Sequence, residues 1–175
     1  MNKIKKAEKR KLTKDAFDKI ENLFELLDSN IFIKNFRLTT PDTCYTNFKD
    51  AIFHFNKMIS LNDEASMFDQ YYALNEHVTR ARTDYYLSVF YPFSYALESL
   101  LKNETIDKFK TDIRDALHDM KSCIFEIRYS GMQISSSYNR LDDSDMQDSV
   151  NKTLAVISKL GKEKEFMQLL HEYIH

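Results

Sequence analysis

Glycine and proline are scarce in this chain. Its 175 residues include two Gly, two Pro and no Trp. Chain turns depend heavily on Gly and Pro, and a sheet of several strands needs many turns, so this scarcity argues against a sheet-rich fold. With 43% hydrophobic and 30% charged residues, the composition indicates a packed helical protein instead.

Long apolar runs and paired cysteines are also lacking. No run approaches the ~20 apolar residues that a membrane-spanning helix needs, and the N-terminus has no apolar core of a signal peptide. Cys44 and Cys123 both fall within helical apolar patterns, where a free thiol behaves as a small hydrophobic group. We therefore expect a cytoplasmic protein without disulfide bonds and without membrane contact.

Apolar residues recur at three- and four-residue steps along most of the chain, which is the period of an amphipathic helix. The pattern predicts one domain over residues 1–175, an all-α, elongated, mainly antiparallel bundle of four to six helices. Thr40 and Thr105 are the predicted N-caps, and Gly161 is predicted to end a helix. The first helix, from about Lys5 to Asp28, is predicted to bury Leu12, Phe17, Ile20, Phe24 and Leu27.

The third predicted helix changes character along its length. Its later part, from Tyr85 to Leu97, is apolar or aromatic almost all the way round. A surface helix keeps a polar face, so this segment must be covered by its own fold or by a partner such as a second copy. Pro92 predicts a kink in this central helix.

A face rich in Tyr and poor in charge is typical of the core of a protein interface. The candidate binding residues are therefore Tyr86, Leu87, Tyr91, Pro92 and Tyr95.

The N-terminus is strongly basic. Residues 3–14 contain seven positive residues and one negative residue, a net charge of +6, whereas the whole chain carries −2. Such an arm can neutralise phosphates of a nucleic acid, with an affinity that falls as salt rises. No aromatic residue is interleaved with these lysines to stack bases, so a solvated helix start is the favoured interpretation.

Two further sets of residues have side chains suited to catalysis or metal binding. Arg114 and His118 stand a few residues apart on a late helix, which resembles the paired Arg and His of the all-helical ribonucleases of the higher eukaryotes and prokaryotes nucleotide-binding (HEPN) family. That resemblance implies metal-independent RNA cleavage across a dimer, although three intervening residues stand where the family has four to six. His54, His77 and His118 fall on three helices with directions that do not converge, so we expect no metal and no cofactor.

The sequence thus favours a non-catalytic interaction or regulatory protein, with homodimerisation through the aromatic helix face as one form. The alternatives are a ribonuclease using Arg114 and His118, or a nucleic-acid-binding protein using residues 3–14.

Overall fold

Six α-helices form most of the chain that the structure describes. The computed structural model describes residues 2–29, 36–132 and 143–174. Over these ranges there is no β-strand beyond one isolated antiparallel bridge between Lys3 and Asp63, which confirms the predicted all-α class. The helices are α1 (Lys6–Ser29), α2 (Asp42–Ile59), α3 (Glu64–Asn103), α4 (Asp107–Met132), α5 (Asp143–Lys159) and α6 (Glu163–Ile174).

The chain divides into two compact units. The first contains α1, α2 and α3 as far as Tyr85, and the second contains the later part of α3 with α4, α5 and α6. Helix α3 is continuous from Glu64 to Asn103 with Pro92 inside it. The predicted single domain and the predicted kink at Pro92 both stay predictions.

The first unit has a core made of one side each of α1, α2 and the first part of α3. The apolar period of α3 predicts six inward residues in its first part, and all six are buried, namely Met67, Tyr71, Leu74, Val78, Ala81 and Tyr85. On α1, Ala16 and Leu23 are fully buried and Leu27 is 7% exposed.

A polar contact ties α1 to α3 inside this unit. The Lys19 ammonium donates to the hydroxyl of Tyr71 (2.9 Å) and to the amide oxygen of Asn75 (2.8 Å). The Tyr71 hydroxyl also donates to the carboxylate of Asp15. These bonds give the polar ends of two largely buried side chains, Tyr71 and Asn75, the partners that burial requires.

The second unit is built around the aromatic part of α3. The ring of Phe93 makes edge-to-face contacts with Phe36 at 5.1 Å and with Phe166 of α6 at 5.2 Å between ring centroids. Such contacts are favourable for aromatic quadrupoles and add to the burial of the rings. The core of this unit thus combines the buried rings of Tyr86, Phe90, Phe93 and Phe166 with a larger number of buried aliphatic side chains.

Two predicted helix starts differ from the structure. At α4 the carboxylate of Glu104, and not the predicted hydroxyl of Thr105, accepts from the backbone N–H groups of Thr105 (2.9 Å) and Ile106 (3.0 Å). At α2 the N-cap is Pro41, one residue after the predicted Thr40, and its side chain makes no capping bond. At α4 a neighbouring side chain thus takes the place of the predicted cap, whereas α2 begins after a residue whose side chain does not cap it.

The predicted end of α5 at Gly161 is confirmed. Gly161 has φ +65°, its N–H donates to the carbonyl of Ser158 (3.1 Å), and the N–H of Lys162 donates to that of Ile157 (3.0 Å). This pair of bonds is the Schellman motif, which needs a left-handed residue at the position of Gly161. The sequence also predicts an extended connection over residues 31–38 and a weakened helix at residues 135–137, and these fall largely or wholly outside the described residues.

Candidate functional site

The aromatic segment of α3 is mostly covered by its own chain. Nine of the thirteen residues from Tyr85 to Leu97 are buried. Tyr86 is 1% exposed, its ring lies edge-on to Phe90 at 6.4 Å, and its hydroxyl donates to the carboxylate of Asp143 at the start of α5. Pro92 is buried as well. Of the predicted binding residues, Tyr86 and Pro92 are therefore packed in the interior.

The other three predicted binding residues reach the surface. Leu87, Tyr91 and Tyr95 follow one another at four-residue steps, which places them on one side of α3. Leu87 and Tyr91 are half-buried, and Tyr95 is 37% exposed. The ring of Tyr173 on α6 lies 5.3 Å from that of Tyr95 and is 45% exposed. We call Leu87, Tyr91, Tyr95 and Tyr173 the Tyr95 surface.

The basic N-terminus is held against the folded chain. The N–H of Ile4 donates to the carbonyl of Asn62 (2.9 Å), and the Lys9 ammonium donates to the carbonyl of Leu61 (2.6 Å) and the side chain of Asn62 (2.8 Å). Lys9 is therefore engaged in the fold. The remaining positive residues of this segment are exposed, namely Lys3, Lys5, Lys6, Arg10, Lys11 and Lys14.

Arg114 and His118 are both exposed on successive turns of α4. The neighbouring Asp119 pairs across to Lys152 of α5 at 2.7 Å. Both side chains of the suggested ribonuclease pair thus reach solvent, and their catalytic role stays a prediction from the resemblance.

Two histidines that were expected to lie apart come together. The rings of His54 on α2 and His77 on α3 are stacked, with centroids 5.4 Å apart and planes 13° apart. Nδ1 of His54 shares a hydrogen bond with Gln70 (2.7 Å), and Nδ1 of His77 shares one with Asn47 (2.8 Å). Each histidine lies at the edge of the apolar stripe of its helix, and such edges meet where two helices pack. The pattern of a single helix does not reveal this contact.

His118, by contrast, is exposed on α4. In the part of the chain that the structure describes, no three His, Cys, Asp or Glu side chains are grouped so as to hold a metal ion.

An acidic cavity of about 240 Å³ opens between α4 and α5 in the second unit. Hydrogen bonding and charge attraction from Asp119 raise the pKa of Lys152, which stands in the lining of this cavity. The ammonium of Lys159 lies 4.0 Å from the carboxylate of Asp112. The cavity is lined by Asp112, Asp115, Ala116, Asp119, Ser149, Lys152, Thr153 and Val156. Two lysines thus offset part of the charge of its three aspartates.

Four phenylalanines of α1 and α2 form an apolar face that is partly exposed, although the sequence predicts its two α1 members as core. Phe17 and Phe24 of α1 are each 51% exposed, which corrects their predicted burial. Phe17 faces Phe55 of α2 at 6.3 Å and Phe24 faces Phe48 at 6.1 Å between centroids. We call these four residues the phenylalanine face. Because successive residues of α1 meet α2 in reverse order, the two helices run antiparallel here.

Both cysteines are free, as expected. Burial, with a smaller contribution from Asp84, raises the pKa of the Cys44 thiol to about 12, and this thiol donates to the carbonyl of Ala81 at 3.4 Å. Burial also raises the pKa of Cys123, despite its contact with the Ser149 hydroxyl at 3.2 Å. Neither thiol is thus activated as a nucleophile, since nucleophilic cysteines have lowered pKa values.

Comparisons of this chain with protein-family models, with curated proteins and with solved structures found no match. No helix within the described ranges is long and apolar enough to cross a membrane.

Proposed function

We propose that this chain is a non-catalytic helical interaction module that binds a protein partner through the Tyr95 surface. The observation that carries the proposal is the pair of partly exposed rings of Tyr95 and Tyr173, packed together at 5.3 Å where α3 and α6 meet. Tyrosines at a surface supply large contact area with little loss of side-chain entropy when a partner binds. Interface cores are enriched in such residues.

The surroundings of the Tyr95 surface support the same function. Phe93, two residues before Tyr95, is fixed by edge-to-face contacts with Phe36 and Phe166. Next to the tyrosines, Glu98 forms an ion pair with Lys121 of α4 at 2.8 Å. A preorganised aromatic surface with paired charges at its edge loses little freedom on binding, which favours affinity. The free cysteines support a reducing, cytoplasmic location as part of the proposal.

Tyr86 and Pro92 of the predicted face are buried, so they are not part of the surface proposed to contact a partner. The sequence suggests homodimerisation through this face of α3. The distribution of charge supports homodimerisation through the phenylalanine face instead.

The test uses peptides displayed on phage and selected against the full-length protein. We expect the selected peptides to bind the Tyr95→Asp variant at least about tenfold more weakly than the wild type. Truncating or charging a central aromatic contact costs more than about 1 kcal/mol of binding free energy. Tyr72→Asp is the matched control, since Tyr72 is also an exposed tyrosine on α3 (50% exposed). Peptides that are insensitive to Tyr95→Asp, or equally sensitive to both variants, contradict the proposal.

A further inference from the structure

The charge of α1 is divided between its two halves. From Lys6 to Lys14 there are five positive residues and one negative residue, a net charge of +4. From Asp15 to Ser29 there are five negative residues and one positive residue, a net charge of −4. Helix α1 is thus neutral as a whole and strongly polarised along its length, with the middle of the helix near Phe17.

The charges share a side of the helix with the phenylalanine face. At about 100° per residue, Lys6, Phe17, Phe24 and Asp28 fall within about 40° of one another around the axis of α1. Lys6 and Asp28 are exposed, and neither forms an ion pair within the described part of the chain. The outer side of α1 therefore presents a basic end, an apolar centre and an acidic end in one stripe.

The spacing of this stripe is symmetric about Phe17. Lys6 and Asp28 stand equally far from Phe17 in opposite directions along the helix, and Lys14 and Glu21 stand almost equally far from it. A two-fold axis through Phe17 would place Lys6 of one helix opposite Asp28 of the other copy, and Lys14 next to Glu21 of that copy. A parallel pairing would instead place like charges together, which is destabilising.

We propose that a second copy of this chain covers the phenylalanine face, with the two α1 helices packed antiparallel about a two-fold axis near Phe17. Closed two-fold dimers are the commonest assemblies of identical chains, and they need a self-complementary surface. The stripe is self-complementary in charge and carries partly exposed phenylalanines at its centre. These two properties select a second copy over an unrelated partner helix.

The dimensions of the face suit a dimer. The 24 residues of α1 rise about 36 Å along the helix axis. A helix of that length, together with the adjacent side of α2, can supply the roughly 800 Å² that each partner of a stable complex buries. On α2 the apolar surface continues beyond Phe48 and Phe55 to Ile59, which is 40% exposed.

This inference rests on the proposed function in treating the protein as an interaction module, but it concerns a separate surface and names its occupant. The first measurement is the mass of the wild-type protein by light scattering over a range of concentrations. We expect twice the mass of one 20.8 kDa chain. A wild-type protein that stays monomeric at the highest concentration reached overturns the inference.

The decisive test is an exchange of charge. One variant carries Lys6→Glu with Lys14→Glu, and the other carries Glu21→Lys with Asp28→Lys. Each variant alone would place like charges opposite each other at both ends of the interface, so we expect its dimer to dissociate about 30-fold more readily. An equal mixture of the two variants restores opposite charges at both ends, and we expect it to recover the dimeric mass.

Recovery in the mixture also shows that both variants are folded. Lack of recovery, with each variant folded by circular dichroism, overturns the inference. The matched control is Lys108→Glu with Lys164→Glu, which reverses two exposed lysines elsewhere and is expected to leave the dimer unchanged.

The Tyr95→Asp variant separates this inference from the proposed function. If the two α1 helices form the interface, Tyr95→Asp remains dimeric while its peptide binding is lost. If Tyr95→Asp dissociates the dimer and the α1 variants do not, the second copy occupies the Tyr95 surface and the inference about α1 is wrong.

Discussion

The ionisation of His77 depends on its partly buried position. Burial lowers the pKa of this histidine because the imidazolium loses hydration, and His54 and Arg80 lower it further. Asp50, 3.8 Å away, acts in the opposite direction together with Glu76. The net effect is a pKa below the ordinary value of 6.5. The neutral ring is therefore the form that stacks on His54.

This lowered pKa predicts a loss of stability on acidification. In the unfolded chain His77 takes up a proton as the pH falls through about 6.5, whereas in the folded chain it does so only at lower pH. The unfolded state therefore binds more protons in that window, and the free energy of unfolding falls with pH there. We expect urea unfolding of His77→Gln to show a smaller loss between pH 7.5 and pH 5.5 than the wild type.

The matched control is His118→Gln, because His118 is exposed on α4. It should retain the wild-type loss of stability over the same pH range. An equal loss in wild type and His77→Gln would show that the stacked pair does not contribute to acid sensitivity.

Single residues also show where sequence patterns lose information. Phe17 and Phe24 fit a three- and four-residue apolar period, yet the buried residues are their neighbours Ala16 and Leu23. The spacing of apolar residues shows how wide the apolar stripe of a helix is, but which part of a wide stripe is buried depends on the helices that pack against it. On α1 the buried side and the exposed phenylalanine face are adjacent, so the spacing alone does not distinguish them.

At the scale of the helices, the sequence predicts most of the architecture. The described part of the chain has six helices where the sequence predicts four to six, and all six inward residues predicted for the first part of α3 are buried. The ends are less predictable, since the cap of α4 is the Glu104 carboxylate, and long carboxylates are not strong N-cap signals. The Tyr95 surface was predictable only in part, because burial of Tyr86 and Pro92 depends on contacts distant in sequence.

The end of α5 gives a prediction at this scale. Gly161 has φ +65°, and a β-carbon there would meet no atom within 4 Å. The cost of Gly161→Ala is therefore conformational strain of the left-handed residue, about 1 kcal/mol. We expect urea unfolding to show this loss, with Asn151→Ala on the exposed side of α5 as the control. An unchanged free energy of unfolding would indicate that the Schellman motif tolerates a side chain.

At the scale of the whole molecule, charge is unevenly distributed. Residues 3–14 carry +6 and the chain carries −2, so the remaining residues carry −8. A polyanion is thus attracted by the N-terminus and repelled by the rest of the chain. Because α1 presents its basic half next to the phenylalanine face, the proposed dimer and a bound polyanion would use some of the same side chains.

This distribution predicts weak, salt-sensitive binding of nucleic acid. With three or four phosphates neutralised by the exposed lysines and Arg10, the affinity for a single-stranded oligonucleotide should fall roughly 20-fold to 50-fold between 50 and 200 mM salt. Fluorescence anisotropy measures this slope. The variant with Lys6→Glu and Lys14→Glu should bind more weakly, whereas Lys108→Glu with Lys164→Glu should not. Binding that is absent or insensitive to salt would count against the nucleic-acid alternative, because an arm that neutralises phosphates loses affinity as the salt concentration rises.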